Sequence, residues 1–107
     1  MKILLVCSGG MSTAIVVKAI EQEAAKTGRT VTVKAAAASE LAETVKGGWD
    51  VVLVAPQVRY RLAEFQAAAA EAGVPVGLIP PQGYSPAGGA VILREADKIL
   101  ESGQGNA

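Results

Sequence analysis

The sequence predicts an α/β domain: a parallel sheet of four strands with helices on both faces. Two observations carry that expectation. Short apolar runs at residues 3–6, 51–55 and 76–79 have the length and composition of buried strands, and segments with apolar residues at helical spacing lie between them. Glycine and proline fall at the joints, as Gly28, Gly47-Gly48, Pro56, Gly73 and Pro80-Pro81. Strands alternating with helices pack as right-handed crossovers on a parallel sheet.

Each element has its own local reason. Residues 3–6 form a leucine and β-branched run that stops at Cys7-Ser8-Gly9-Gly10. Ser12 or Thr13 is placed to cap the next helix, in which Val16, Ile20 and Ala24 share one face and Lys18, Gln22 and Lys26 the other. Gly28 is suited to end it. Residues 30–35 alternate threonine and valine, which fits an edge strand. Ser39 is the expected cap of a short helix with Leu41 and Val45 inward, closed by Gly47-Gly48. Trp49 is expected to cover the far end of the core. After the strand at 51–55, Leu62, Phe65 and Ala69 mark a third helix, residues 76–79 a fourth strand, 82–89 a loop and 90–100 the last helix.

Composition limits what such a domain does. The 107 residues fit one domain, read as residues 1–101 followed by a flexible tail at 102–107. Half of the residues are hydrophobic but only 4% are aromatic, so aliphatic side chains and alanine fill the core. Ten basic and ten acidic residues cancel, which argues against a nucleic-acid partner. No segment reaches the length needed to insert in a membrane. The lone cysteine suits a reducing compartment, so the cytoplasm is expected. The chain has no histidine, and one cysteine cannot build a thiolate cage, so neither a metal nor another cofactor is expected.

In open parallel sheets ligands bind beyond the carboxyl ends of the strands. The loops there begin near Cys7, Ala36, Pro56 and Pro80. The first, Cys7-Ser8-Gly9-Gly10-Met11-Ser12-Thr13, is the most informative. Its glycines let backbone N–H groups turn inward, its hydroxyls add donors, and the helix behind it points its positive end at the same spot. Such a ring of donors cradles a tetrahedral dianion and favours a thiolate over a thiol. Cys7 is therefore the candidate nucleophile, with Ser8 to Thr13 as the candidate phosphate cradle. The competing reading is a small buried hydrophobe before a turn. Small cysteine-dependent phosphatases use a loop of this kind, but with an arginine to clamp the transition state and an acid for the leaving group. Residues 7–13 hold no arginine and residues 80–89 no carboxylate, so transfer is favoured over hydrolysis.

These residues resemble the IIB components of the bacterial sugar phosphotransferase system, in the lactose/cellobiose/chitobiose family. Residues 7–13 are close to that family's Cys-Ser-Ala-Gly-Met-Ser-Thr. Ala55-Pro56-Gln57-Val58-Arg59-Tyr60 resembles its Gly-Pro-Gln-x-x-Tyr, and Tyr84 with Gly89 its Tyr…Gly before the last helix. The resemblance implies a sheet in the order 2-1-3-4, similar to low-molecular-weight tyrosine phosphatases. It also implies that Cys7 takes a phosphoryl group from a histidine on a IIA partner and passes it to a sugar held by a membrane-embedded IIC partner. Pro56, Gln57, Tyr60 and Tyr84 become supporting residues on the same basis. A regulatory module that senses phosphorylation, or a phosphatase-like protein, are the alternatives. For Tyr60, ring packing is the favoured bland reading, and for Arg59 and Arg61, solvated charges against a steering role. Where the family has Ala, Gly and Asp or Asn, this chain has Gly9, Ala55 and Gly88. Pro80-Pro81-Gln82 also departs from the usual polar start of the last loop.

Overall fold

The computed structural model describes residues 1–7 and 11–101, and of residues 11–13 the backbone alone. Ser8, Gly9 and Gly10 of the expected cradle, the side chains of Met11, Ser12 and Thr13, and the expected flexible tail at 102–107 therefore lie outside the described residues. The elements are β1 (Lys2–Cys7), α1 (Met11–Lys26), β2 (Thr32–Ala37), α2 (Leu41–Thr44), β3 (Val51–Val54), α3 (Leu62–Glu71), β4 (Val76–Leu78) and α4 (Gly89–Glu101). The sheet runs β2-β1-β3-β4 and every pairing is parallel, as expected.

The two central strands are buried on both faces, and their alternation divides the core. Leu4 and Val6 of β1, with Val52 and Val54 of β3, pack against Leu41 and Val45 and against Phe65 and Ala69 of α3. Ile3, Leu5, Val51 and Leu53 point the other way, onto Val16, Ile20 and Ala24 of α1 and Ile92, Leu93 and Ala96 of α4. The predicted helix faces are the buried ones. Helix ends follow glycine: Gly28 has φ +72°, and the Arg29 N–H donates back to the Ala24 carbonyl at 2.8 Å. Gly73 repeats the device at the end of α3. At the far end of the sheet Trp49 is half-buried, as expected. Its indole N–H donates to the Thr44 carbonyl at 2.8 Å, and Lys2 Nζ lies 5.0 Å from its ring.

Three local expectations are corrected. The second strand is Thr32–Ala37, two residues later than read, because its extent is set by pairing with β1 from Lys2↔Thr32 to Cys7↔Ala37. Three alanines of weak strand preference are thereby drawn into the ladder. α1 begins at Met11, so Ser12 and Thr13 lie within its first turn and not at the cap. Ser39 lies inside a 3₁₀ turn, Ala38–Glu40, and the capping contact is instead made by Glu40, whose Oε1 accepts the Ala37 N–H at 3.3 Å.

One ion pair spans the fold. Arg29, just past α1, grips Asp97 of α4 through two bonds of 3.0 and 2.8 Å. Both side chains are about a third exposed, so water screens the pair. Arg29→Ala should therefore cost only about 0.2–1 kcal/mol. Ile20→Ala, which empties a fully buried position, should cost about 2–5 kcal/mol. Urea denaturation of the two variants distinguishes these magnitudes.

Candidate active site

Cys7 ends β1 at the carboxyl edge of the sheet. Only 4% of it is exposed, and its Sγ lies 3.7 Å from the Ala36 carbonyl, the reach of a weak S–H donor. Four residues on, α1 starts a run of 16 helical residues with no acidic side chain in its first turn. The positive end of that helix therefore carries no neutralising carboxylate of its own.

The loop after β3 is tied to Cys7 by the backbone. The Ala55 N–H donates to the Val6 carbonyl at 2.8 Å, and Ala55 itself is fully buried. Proline at its first position starts a 3₁₀ turn, Pro56–Arg61, that kinks at Val58 (φ −118°, ψ 18°). The kink drives Val58, 3% exposed, into the same apolar cluster as Cys7. Its neighbours must then face out. Gln57 is exposed, and its side chain makes no hydrogen bond among the described residues. Tyr60 is 80% exposed, so its ring does not pack, against the favoured reading; Val58 occupies the inward place. Arg61 is held by Glu64 and lies 5.5 Å from the Phe65 ring, and the Glu64 contact raises its already high pKa. It is not a free steering charge. Arg59 has no carboxylate partner among the described residues.

The loop after β4 closes tightly. Pro80 and Pro81 lead a 3₁₀ turn, Pro81–Gly83, whose Gly83 N–H donates to the Pro80 carbonyl at 2.8 Å. Gly88 then passes against it: a Cβ on Gly88 would lie 1.8 Å from the Gly83 carbonyl oxygen. The absence of a polar side chain here is thus a packing requirement. Tyr84, between the two, is half-buried and touches both core clusters, which places it under the site edge.

The structure accordingly brings Cys7, Ala55, Val58 and Tyr84 into one apolar cluster, with Pro56 half-buried beside them and Gln57 and Tyr60 on the wet side of the same turn. Sequence reasoning missed Val58, the Ala36 carbonyl and the Gly83–Gly88 approach. The spacing of Val58 between exposed polar residues was the only signal for the first, and the Gly88-Gly89 pair for the last.

A four-stranded parallel domain in this order has the architecture of phosphotransferase IIB domains. It superposes on the cellobiose-specific phosphotransferase IIB component from Borrelia burgdorferi with a TM-score of 0.77 and 34% identity, covering 97% of this chain and 94% of that one. The fold is also that of the lactose-specific IIB component domain of Streptococcus pneumoniae (TM-score 0.71, 24% identity, 89% and 96% covered). The chain belongs to the family described as PTS system, Lactose/Cellobiose specific IIB subunit, whose pattern matches residues 2–100. It is 30% identical to the galactose-specific EIIB component of Lactococcus lactis subsp. cremoris over 102 residues, 92% of this chain and 94% of the relative. It is also 30% identical to the oligo-beta-mannoside-specific EIIB component of Bacillus subtilis over 99 residues, 92% and 95% of the two chains. Among the described residues, no helix is long and apolar enough to cross a membrane.

Gly88→Asp, which installs a side chain of the kind the family resemblance led us to expect, should destabilise the protein by more than about 2 kcal/mol, in the range of overpacked sites. Thermal and urea unfolding check this. A variant as stable as the parent would mean that the Pro80–Gly89 loop opens freely.

Proposed function

We propose that the protein is a phosphocysteine carrier in a sugar phosphotransferase relay, with residues 1–101 as the working unit. Cys7, as thiolate, attacks the phosphorus of a phosphohistidine on a IIA partner. The S–P bond forms as the N–P bond breaks, and the imidazole leaves. A hydroxyl of a sugar bound to the IIC partner then attacks the same phosphorus, and Cys7 is released as thiolate for another round. The observation that carries this reading is a lone cysteine at the end of a buried central strand, four residues before a long helix without a carboxylate in its first turn. The backbone N–H groups of residues 8–13 and the Ser12 and Thr13 hydroxyls are the phosphate donors in this scheme, which needs no metal. Gln57, exposed and without a side-chain hydrogen bond among the described residues, beside the tie between Ala55 and β1, is the side chain offered to a phosphate oxygen. Pro56 sets the turn that presents it, and Tyr84 supports the edge from below. Tyr60, with its ring in solvent, meets partner and not core.

The sugar belongs to the β-glucoside, galactoside or mannoside group on the strength of its relatives. A cellobiose-specific and a galactose-specific component of Lactococcus lactis are both 30% identical to it, so identity alone ranks neither sugar first.

Incubation with phosphoenolpyruvate, the general relay proteins and a IIA of this family should add one phosphoryl group to the wild type and none to Cys7→Ala, read by intact mass. A folded wild type with a free thiol that stays unmodified would end the carrier reading. Gln57→Ala should leave stability unchanged and slow phosphoryl transfer by up to about tenfold, the weight of one hydrogen bond of about 1.4 kcal/mol.

A further inference from the structure

On the β4 side of the domain, the turn Pro56–Arg61, the Pro80–Gln82 segment and one face of α4 line an open cleft of about 480 Å³ that does not include Cys7. Its polar lining is Arg59, Gln82, Arg94, Glu95 and Lys98. Lys98 and Glu95 neutralise each other at 3.3 Å. Arg59 and Arg94 have no carboxylate partner among the described residues, although they come from elements far apart in sequence. The cleft therefore carries two guanidinium groups with no carboxylate partner among the described residues.

We propose that this cleft is a second anion site, for a small phosphate monoester. The guanidinium fork suits the planar pairs of oxygens on a phosphate, and two forks from different walls can hold one dianion from two sides. The volume lies within the roughly 300–1,000 Å³ of small-molecule sites. Leu78, 38% exposed on β4, and Val91 supply an apolar wall for the organic part of the ligand. Consecutive prolines 80 and 81 hold one rim in a fixed conformation, which lowers the entropic cost of binding. The volume, together with an apolar wall beside the two guanidinium groups, favours a small organic phosphate over the acidic side chain of a protein partner.

Cys7 does not line the cleft, so the test uses the Cys7→Ala protein, in which no phosphoryl group can be carried on the thiol. Glucose 6-phosphate, inorganic phosphate and glucose are titrated separately while backbone amide resonances are followed. The expected result is saturable shifts of Arg59, Gln82 and Arg94 with either phosphate-bearing probe and none with glucose. Tighter binding of glucose 6-phosphate than of inorganic phosphate would show that the organic part uses the wall at Leu78 and Val91; equal binding would show that the phosphate alone is held. Arg59→Gln with Arg94→Gln should raise the dissociation constant at least tenfold, with the remaining spectrum unchanged because both side chains are exposed. Shifts confined to residues 8–13, an affinity insensitive to the two substitutions, or no shifts at millimolar probe would overturn the proposal.

Discussion

The buried pair β1 and β3 is the constraint on which the rest depends. Ile3 to Val6 and Val51 to Val54 are all fully buried, so neither strand has a side to give to water. Each must be covered by helices on both faces and flanked by a strand on each edge, which gives the order β2-β1-β3-β4. Parallel strands then bring the starts of all the crossover loops to one edge. Cys7 is at that edge because it is the next residue after the buried run. Its position is a consequence of where the hydrophobic strand stops.

The same arrangement explains why the site edge is held so firmly. The Ala55 N–H binds the Val6 carbonyl, the Ile79 N–H binds the Val54 carbonyl, and the Cys7 thiol meets the Ala36 carbonyl. Two of these ties, at Ala55 and Ile79, are made by backbone alone and leave the neighbouring side chains of the rim over for recognition. The carboxyl end of each strand is thus both the last rung of the sheet and the first atom of the site.

Much of this was legible in the residues. The apolar runs and the helix faces around Val16 and Phe65 were read correctly because burial on a sheet imposes a period that composition cannot disguise. The boundaries of β2 were not, since alanines at 35–37 have no strand preference of their own and take their conformation from β1. Ser12, Thr13 and Ser39 were plausible caps by type. The helix starts fell elsewhere because a glutamate at 40 could reach back to the Ala37 N–H and because α1 starts at Met11. At the site, the family motifs located Cys7 and the two supporting loops. They named Tyr60 and Gly88 but not their surroundings, which depend on a kinked turn and on a backbone five residues away. The cleft at Arg59 and Arg94 joins residues 35 positions apart, and no local pattern encodes such a meeting.

The kink at Val58 separates two jobs that usually compete within a loop. One side chain anchors the segment, and the positions on either side of it owe nothing to the interior. An exposed position such as Tyr60 can therefore change under selection for a new partner without eroding the fold that carries it. A lineage built on this turn can exchange one partner for another by surface change alone, while Cys7 stays where the buried strand sets it. That is a structural route to a family whose members share a scaffold and differ in the sugar named for each.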